Sequence, residues 1–280
     1  MPELPEVETM RRGIAPVLGS TIRAAEFVRS ARIKPLSVSP SRSSFQRRVA
    51  GRRIEGLGRA GKRVVIELAG GDRIVFEPRM TGLVLLAAPP SEEHLRLRLT
   101  LAGRAKPSEL LFWDRRGLGT LSLLDPAEFA RRLGPDTLGP DALELDPALL
   151  EARLGASKRP IKVALLDQRK LAGVGNIYAA ECLHVARIHP IRPCASLKPA
   201  EWRRLHAALE DVLGEAIRYE GSTLNDGTYR NALNVEGGYQ SCHRVYGREG
   251  GACSRCRGRG RVERIVLGQR ATFFCGRCQR

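Results

Sequence analysis

The sequence predicts an α+β chain of more than one domain, with an antiparallel sheet first, helices after it and a small four-cysteine tail. Three observations carry that reading. Between about 20 and 125, short runs such as "RVVIEL", "RIVFE" and "HLRLRLTL" have the apolar patterning of strands. From 147 to 218 the apolar residues recur instead at helical spacing. The tail holds Cys253-x2-Cys256 and Cys275-x2-Cys278. At 280 residues the chain has room for two cores.

Taken in order, "PELPEVETM" opens a helix. Pro5 suits a first helical turn, Glu6 and Glu8 complement the positive end of the helix dipole, and Val7, Met10, Ile14 and Leu18 recur on one face. "RVVIEL", an "AGGD" turn, "RIVFE", "GLVLLA" and "HLRLRLTL", where Leu95, Leu97, Leu99 and Leu101 alternate with polar residues, then build the sheet. In "DPAEFARRLGPDTLGPDAL" Pro and Gly accumulate and strand patterning stops, which places a linker near 130–141. "DPALLEARL", "RPIKVALLD", "GNIYAAECLHVARI" and "PAEWRRLHAALEDVLGEAIRY" read as helices, the last with Trp202, Leu205, Leu209, Val212 and Ala216 on one face. Residues 221–242, rich in Gly, Asn, Ser and Thr, form a long loop of the kind that carries function. The expected division is residues 1–130, 131–240 and 241–280.

Forty-seven Lys and Arg against 30 Asp and Glu leave a formal charge of +17. A surplus of that sign and size points to nucleic acid as partner. It is also focused, since residues 241–280 carry ten Arg and two Glu, a net +8. No apolar run approaches the roughly 20 residues that span a bilayer. The acidic start lacks the basic and apolar segments of a signal peptide. A cytoplasmic monomer is expected.

Eighteen residues separate the two Cys pairs, within the range of a four-cysteine zinc site. Each pair forms a tight knuckle that points two thiolates at one ion, and the intervening "RGRGRVERIVLGQRATFF" has the form of a hairpin. So small a tail has too little core to fold alone, and one Zn2+ would supply its stability. Four thiolates leave no open position for water, so this zinc is structural and the ligands are Cys253, Cys256, Cys275 and Cys278. Two disulfides are the alternative, disfavoured by the odd total of Cys and the absence of secretion signals. Cys182, Cys194 and Cys242 read as ordinary residues.

Catalysis must then lie elsewhere, and the N-terminus offers a nucleophile. Pro at position 2 favours removal of Met1, which would expose a secondary amine. An α-amine, with a pKa of about 8, is far more available near neutrality than a Lys at about 10.4. Attack on an aldehyde-like carbon gives an iminium ion. Glu3 is placed to shuttle protons and Glu6 to orient or tune the amine. By themselves the same residues equally make a plain helix start with dipole-complementing acids.

Several separated motifs resolve that choice. "MPELPEVET", "GKRVVIEL", "RMTG", "LLDQRKLAGVGNIYAAECLHVARIHP" and "VYGREGGACSRC…RIVLGQRATFFCGRCQ" stand in order from residue 1 to the C-terminus. Together they resemble the formamidopyrimidine-DNA glycosylase family, and the "PELPE" start resembles it more than endonuclease VIII, whose opening usually reads "PEGPE". The resemblance implies an N-terminal antiparallel β-sandwich and a C-terminal helix-two-turn-helix domain with a zinc hairpin, with duplex DNA bound in the cleft between. It implies a catalytic set of Pro2, Glu3, Lys62 and Arg270, with Pro2 attacking the sugar of an oxidised purine nucleotide. The base leaves, a Schiff base forms, and β,δ-elimination nicks the strand. Glu6, Met80, Arg116, Leu118, Lys162, Asn176 and Arg270 form the implied DNA-contacting set. Of these, Lys62, Asn176 and Arg270 match phosphate clamps, while Met80, Arg116 and Leu118 match residues that fill the gap left by the extruded base. The residues themselves agree in part: "LAGVGN" is a Gly-rich turn opening a helix, whose free N–H groups favour a phosphate.

Two departures bear on substrate choice. The usual wedge is Phe, preceded by Pro and two Arg, whereas this chain reads Arg115, Arg116, Gly117, Leu118. Glu77 and Pro78 replace a common His-Leu pair ahead of Met80, and Pro78 removes a strand donor. The loop 221–242 lies where the family's base-recognition loop belongs. An endonuclease VIII-like enzyme for oxidised pyrimidines and a non-catalytic zinc-containing damage-binding protein are the rival readings.

Overall fold

The first helix explains itself from four side chains. In α1 (Leu4–Gly13), Glu3 is the extended N-cap and Glu6 closes a capping box by accepting the Glu3 N–H at 2.8 Å. Arg11 and Arg12 sit in the last turn, against the negative end of the dipole. Val7, Met10 and Ile14 are wholly buried, but Leu18 is 54% exposed. The helix ends at Gly13 and a single tight turn, Ala15–Val17, carries Pro16, so the periodicity that placed Leu18 on the buried face stops one turn early. The computed structural model describes residues 2–28, 34–103 and 108–280; Met1, whose removal would free the Pro2 amine, lies outside them.

Two sheets follow. Their strands are β1 (Thr21–Phe27), β2 (Ser37–Ser39), β3 (Ile54–Ala60), β4 (Arg63–Leu68), β5 (Arg73–Glu77), β6 (Gly82–Leu85), β7 (Leu95–Ala102), β8 (Glu109–Asp114) and β9 (Thr120–Leu124), with α2 (Arg42–Val49) between β2 and β3. Among the described residues one sheet runs β1-β7-β8-β6 and the other β2-β9-β5-β4-β3. Every pairing is antiparallel except the short edge β2, which lies parallel to β9. Phe76 on β5 meets Phe112 on β8 at 5.4 Å between ring centroids, so the two sheets share one core. Val7, Met10 and Ile14 of α1 enter that core, each burial contributing about 1.5–3 kcal/mol.

The helices of the second half come mostly where their patterning predicts: α4 (Pro147–Leu154), α5 (Ile161–Leu165), α6 (Asn176–Ala186) and α7 (Pro199–Arg218). Trp202, Leu205, Leu209, Val212 and Ala216 are all buried. The exception precedes them, where α3 (Pro126–Leu133) occupies the beginning of the stretch read as linker. Asp125 caps it, accepting the Glu128 N–H at 2.7 Å, and Pro126 at the first turn needs no donor. Local capping outweighs the Pro signal. At the end of the chain β10 (Glu263–Leu267) and β11 (Arg270–Phe274) form a hairpin closed by Gly268 and Gln269, both with positive φ, the two-residue turn that matches strand twist.

By packing, the chain divides into two compact units. One is Met1–Gly134 with Tyr219–Gln240, the other Pro135–Arg218 with Ser241–Arg280. The long loop after α7 therefore belongs with the sheets, and the cysteine tail with the helices. The tail rests on α6 through Ala180, Val245 and Val262, with Tyr246 and Phe273 beside them. No helix among the described residues is long and apolar enough to cross a membrane.

Glu8 ties α1 to the sheet. Its carboxylate pairs with Arg11 and Arg12 at 2.7 Å and with Arg59 of β3 at 3.2 Å. Burial pushes its pKa up, but the three guanidinium groups outweigh burial and hold it down, from 4.5 to about 2. A carboxylate depressed in this way contributes stability that is complete above about pH 4.5 and lost as pH falls towards 2. Glu8→Gln should therefore lower the melting temperature at pH 7 and flatten its fall between those two pH values. A wild-type acid limb in that variant would show that other carboxylates set it.

Candidate active site and metal centre

In the sheet unit, the start of the chain is held by one buried acid. Pro2 is buried, Glu3 is 2% exposed and Glu6 1%. Glu6 Oε2 accepts the Glu3 N–H and Glu6 Oε1 accepts the Ser222 N–H, each at 2.8 Å. The first turn of α1 and the loop after α7 thus meet on a single carboxylate. Gly221 makes this approach possible, because its φ is +82° and a Cβ there would stand 2.9 Å from Glu6 Oε1. Tyr229 closes the contact from the other side, donating its hydroxyl to the Glu220 carbonyl at 3.0 Å and the Glu6 carbonyl at 3.4 Å. Burial, and then the Glu6 charge, push its phenol pKa well up, so the hydroxyl stays a donor. Thr223 Oγ1 donates to the Tyr229 carbonyl and accepts the Gly237 N–H, which folds residues 222–237 back on themselves.

Lys62 reaches this region through Arg59. It is half-buried in the turn between β3 and β4, whose Gly61 carbonyl accepts from Arg59 Nη1 at 3.0 Å while Arg59 Nε pairs with Glu8. The turn therefore hangs from α1.

A second group joins the residues matched to gap filling. Met80, half-buried, lies in the turn between β5 and β6 and not on a strand; Pro78 stands just beyond the end of β5, so its missing N–H costs no ladder bond. Arg116 and Leu118 lie in the loop between β8 and β9, where Leu118 is 41% exposed. Gly117, at φ +62°, turns the chain so that Leu118 faces outward. Asp114, fully buried, binds both segments: one carboxylate oxygen accepts Thr81 Oγ1–H and the other accepts the Gly119 N–H at 2.7 Å. Thr81 Oγ1 in turn accepts the Arg116 N–H at 2.9 Å, and Arg96 donates to the Asp114 carbonyl at 2.7 and 3.0 Å. The turn of Met80 and the loop of Leu118 are thereby one rigid piece.

In the helical unit, Lys162 of α5 is fully buried and donates its ammonium to Asn176 Oδ1. Asn176, the first residue of α6, donates from Nδ2 to the Ala271 carbonyl at 3.0 Å, beside Arg270 at the tip of the hairpin. The N-cap itself is Gly175, which leaves the Asn176 side chain for this bridge. Arg270 is exposed. Glu6 and Lys162, both expected among the DNA contacts, are thus buried.

The four cysteines come together as their spacing predicts. Sγ atoms of Cys253, Cys256, Cys275 and Cys278 all lie within 4.8 Å of one another, with Cys253 to Cys278 at 3.8 Å and Cys256 to Cys275 at 3.7 Å. These separations are far beyond a disulfide, whose sulfurs lie about 2.05 Å apart, and suit thiolates around one metal ion. Gly260 makes room: a Cβ there would stand 2.6 Å from Cys275 Sγ. Two residues invisible to spacing arguments support the site. His184 Nε2 lies 3.4 Å from Cys253 Sγ, and buried Glu181 accepts the N–H groups of Arg244, Val245 and Tyr246 at 2.8–2.9 Å. Both stand out in the sequence as the one acid and the one histidine of a largely apolar α6.

Residues 1–121 match the formamidopyrimidine-DNA glycosylase N-terminal domain and residues 133–228 the H2TH domain of the same family. The formamidopyrimidine-DNA glycosylase of Chloroflexus aurantiacus is 41% identical over 100% of this chain and 98% of its own length, and that of Thermus thermophilus 43% over the same shares. The chain belongs to the formamidopyrimidine-DNA glycosylase family. Solved structures agree: the MutM (Fpg) protein of Thermus thermophilus superposes with a TM-score of 0.84 at 41% identity over 99% of this chain and 98% of that one. Lactococcus lactis Fpg, in complex with DNA containing an abasic site, does so with a TM-score of 0.85 at 31% identity over 99% of each chain. A formamidopyrimidine-DNA glycosylase fold thus joins two loops through Asp114 and Thr81, the latter within the "RMTG" motif. Thr81→Val should cost about 1–3 kcal/mol in urea unfolding by leaving the Asp114 carboxylate and the Arg116 N–H short of a partner. A variant as stable as wild type would mean the two loops are held by other contacts.

Proposed function

We propose that the protein is a base-excision repair enzyme that removes oxidised purines, such as 8-oxoguanine and formamidopyrimidines, from duplex DNA and then nicks the abasic site. Family membership supports this, as does a Lactococcus lactis relative of known structure bound to Fapy-dG DNA. The observation that carries it is the grip of Glu6 on Glu3 and Ser222, which fixes residue 2 beside an acid and against the loop expected to read the base.

In this reading Met1 is removed and the Pro2 nitrogen attacks C1′ of the extruded nucleotide. The glycosidic bond breaks and its electrons leave with the base, while Glu3 transfers the protons that the base and the opening sugar require. The iminium so formed acidifies the adjacent sugar C–H, and β,δ-elimination expels the flanking phosphates. Lys62, Asn176 and Arg270 hold those phosphates, with Lys162 behind Asn176. Met80, Arg116 and Leu118 occupy the space the base has left. Leu118 has less stacking area than an aromatic wedge and parts the base step by its bulk alone.

The metal is Zn2+ in this reading. Tetrahedral ligands about 2.3 Å from one ion stand about 3.8 Å apart, which matches the shortest sulfur separations. Its role is to hold the hairpin that carries Arg270, and no step of the reaction passes through it.

Borohydride added to enzyme and a duplex containing 8-oxoguanine should reduce the iminium and leave protein covalently bound to DNA through Pro2. Pro2→Gly should weaken or redirect that adduct while leaving DNA affinity largely intact. Absence of any adduct from wild type would favour a damage-binding protein without catalysis, and trapping only on oxidised pyrimidines an endonuclease VIII-like enzyme. Arg270→Ala should lower the slope of log affinity against log salt by about 0.9, one phosphate's worth. An unchanged slope would remove Arg270 from the phosphate contacts.

A further inference from the structure

We infer that the knuckle end of the finger carries a second phosphate-binding site, built from Arg257, Arg259 and Arg277 with the guanidinium groups around them, and that it takes the DNA backbone away from the lesion. The inference rests on the reading of this protein as DNA-binding.

Two adjoining cavities, of about 670 and 490 Å3, share Arg255, Arg277 and Arg280 in their walls. Arg257 and Arg259 line the first, and Arg187, Arg192 and Arg204 the second. The one acid lining them is Glu201, and it is already engaged: Arg192 holds it bidentately, the Lys198 N–H donates to it at 2.9 Å and Arg204 lies at 3.6 Å. Arg255, Arg257, Arg259 and Arg277 are all exposed and pair with no acid among the described residues. Planar guanidinium groups converging on a polar hollow suit phosphate oxygens, which they bind two at a time.

This cradle is not the phosphate clamp of Asn176 and Arg270. In the hairpin register Leu267 faces Arg270 at the tip, while Glu263 faces Phe274 at the base, next to Cys275. Five residues at about 3.3 Å each put Cys275 about 16 Å from Arg270. Helix α6 gives the same answer independently. It begins at Asn176, tied to Ala271, and ends at Ala186, followed by the C-cap Arg187, whose carbonyl accepts the Arg280 N–H at 3.3 Å. Its eleven residues span about 16 Å. A phosphate held at the tip therefore lies too far away to reach the cradle as well.

The competing role for these arginines is charge compensation of the metal site. Four thiolates on a divalent ion leave two negative charges, fewer than the guanidinium groups gathered there, and an excess remains for an outside anion.

The test uses the full, metal-loaded chain and the arginine Nε–H signals in NMR, with sodium tripolyphosphate and a short undamaged duplex as separate probes. Both should shift Arg257, Arg259 and Arg277. Replacing all three (R257Q/R259Q/R277Q) should lower the salt slope for a long undamaged duplex by up to about 2.7, at about 0.9 per contact. Metal content, melting temperature and borohydride trapping on a short lesion duplex should stay as in wild type. Unmoved signals or an unchanged slope would overturn the site. Shifts with tripolyphosphate but not duplex would overturn DNA as its occupant and leave a free polyphosphate. Loss of metal in the variant would assign these arginines to the thiolates instead. Failure of wild type to trap on lesion DNA would count against excision alone, since the shifts do not depend on it.

Discussion

The Glu6 carboxylate accepts one backbone N–H from the start of the chain and another from a loop that follows α7, and the working arrangement of the sheet unit depends on that pair of bonds. A buried carboxylate is costly unless its oxygens are occupied, and a buried amide is costly unless it has an acceptor. Each requirement meets the other. The start of the chain, proposed to carry the nucleophile, and the segment expected to judge the base are consequently positioned by the same side chain, with Gly221 supplying the room.

The same device recurs twice. Asp114 accepts from Thr81 and Gly119 and so fixes two loops, and Glu181 accepts three successive N–H groups and so fixes the approach to the cysteine knuckles. None of these acids touches the surface. Burial pushes the Glu181 pKa above the usual carboxylate range against the pull of its three N–H donors, which occupy both carboxylate oxygens. Among the described residues, three irregular segments are thus anchored by buried acids that accept backbone donors.

Much of the fold was legible in the sequence, because strands, helices and cysteine knuckles are specified by local pattern. Leu95 to Leu101, the face of α7 and the two Cys pairs all stand where periodicity and spacing put them. The failures were also local. A capping box overrode the Pro and Gly signal to make α3, and Pro16 ended α1 before Leu18. The site residues divided differently. Cys, Pro2, Asn176 and Arg270 stand out within recognisable motifs; Thr81, Glu181 and His184 lie inside motifs too, but like Asp114 they owe their importance to partners distant in the chain, and no spacing rule reports such a partner. The burial of Glu6 and Lys162 was hidden for the same reason.

Lys162 has a consequence of its own. An exposed arginine, as Arg270 is, would give up side-chain freedom on meeting a phosphate, and its attraction is weakened by dissolved ions. The ammonium behind Asn176 has surrendered that freedom already and is shielded from ions by the protein around it. A phosphate arriving at Asn176 would meet a field that is present beforehand and persists in brine.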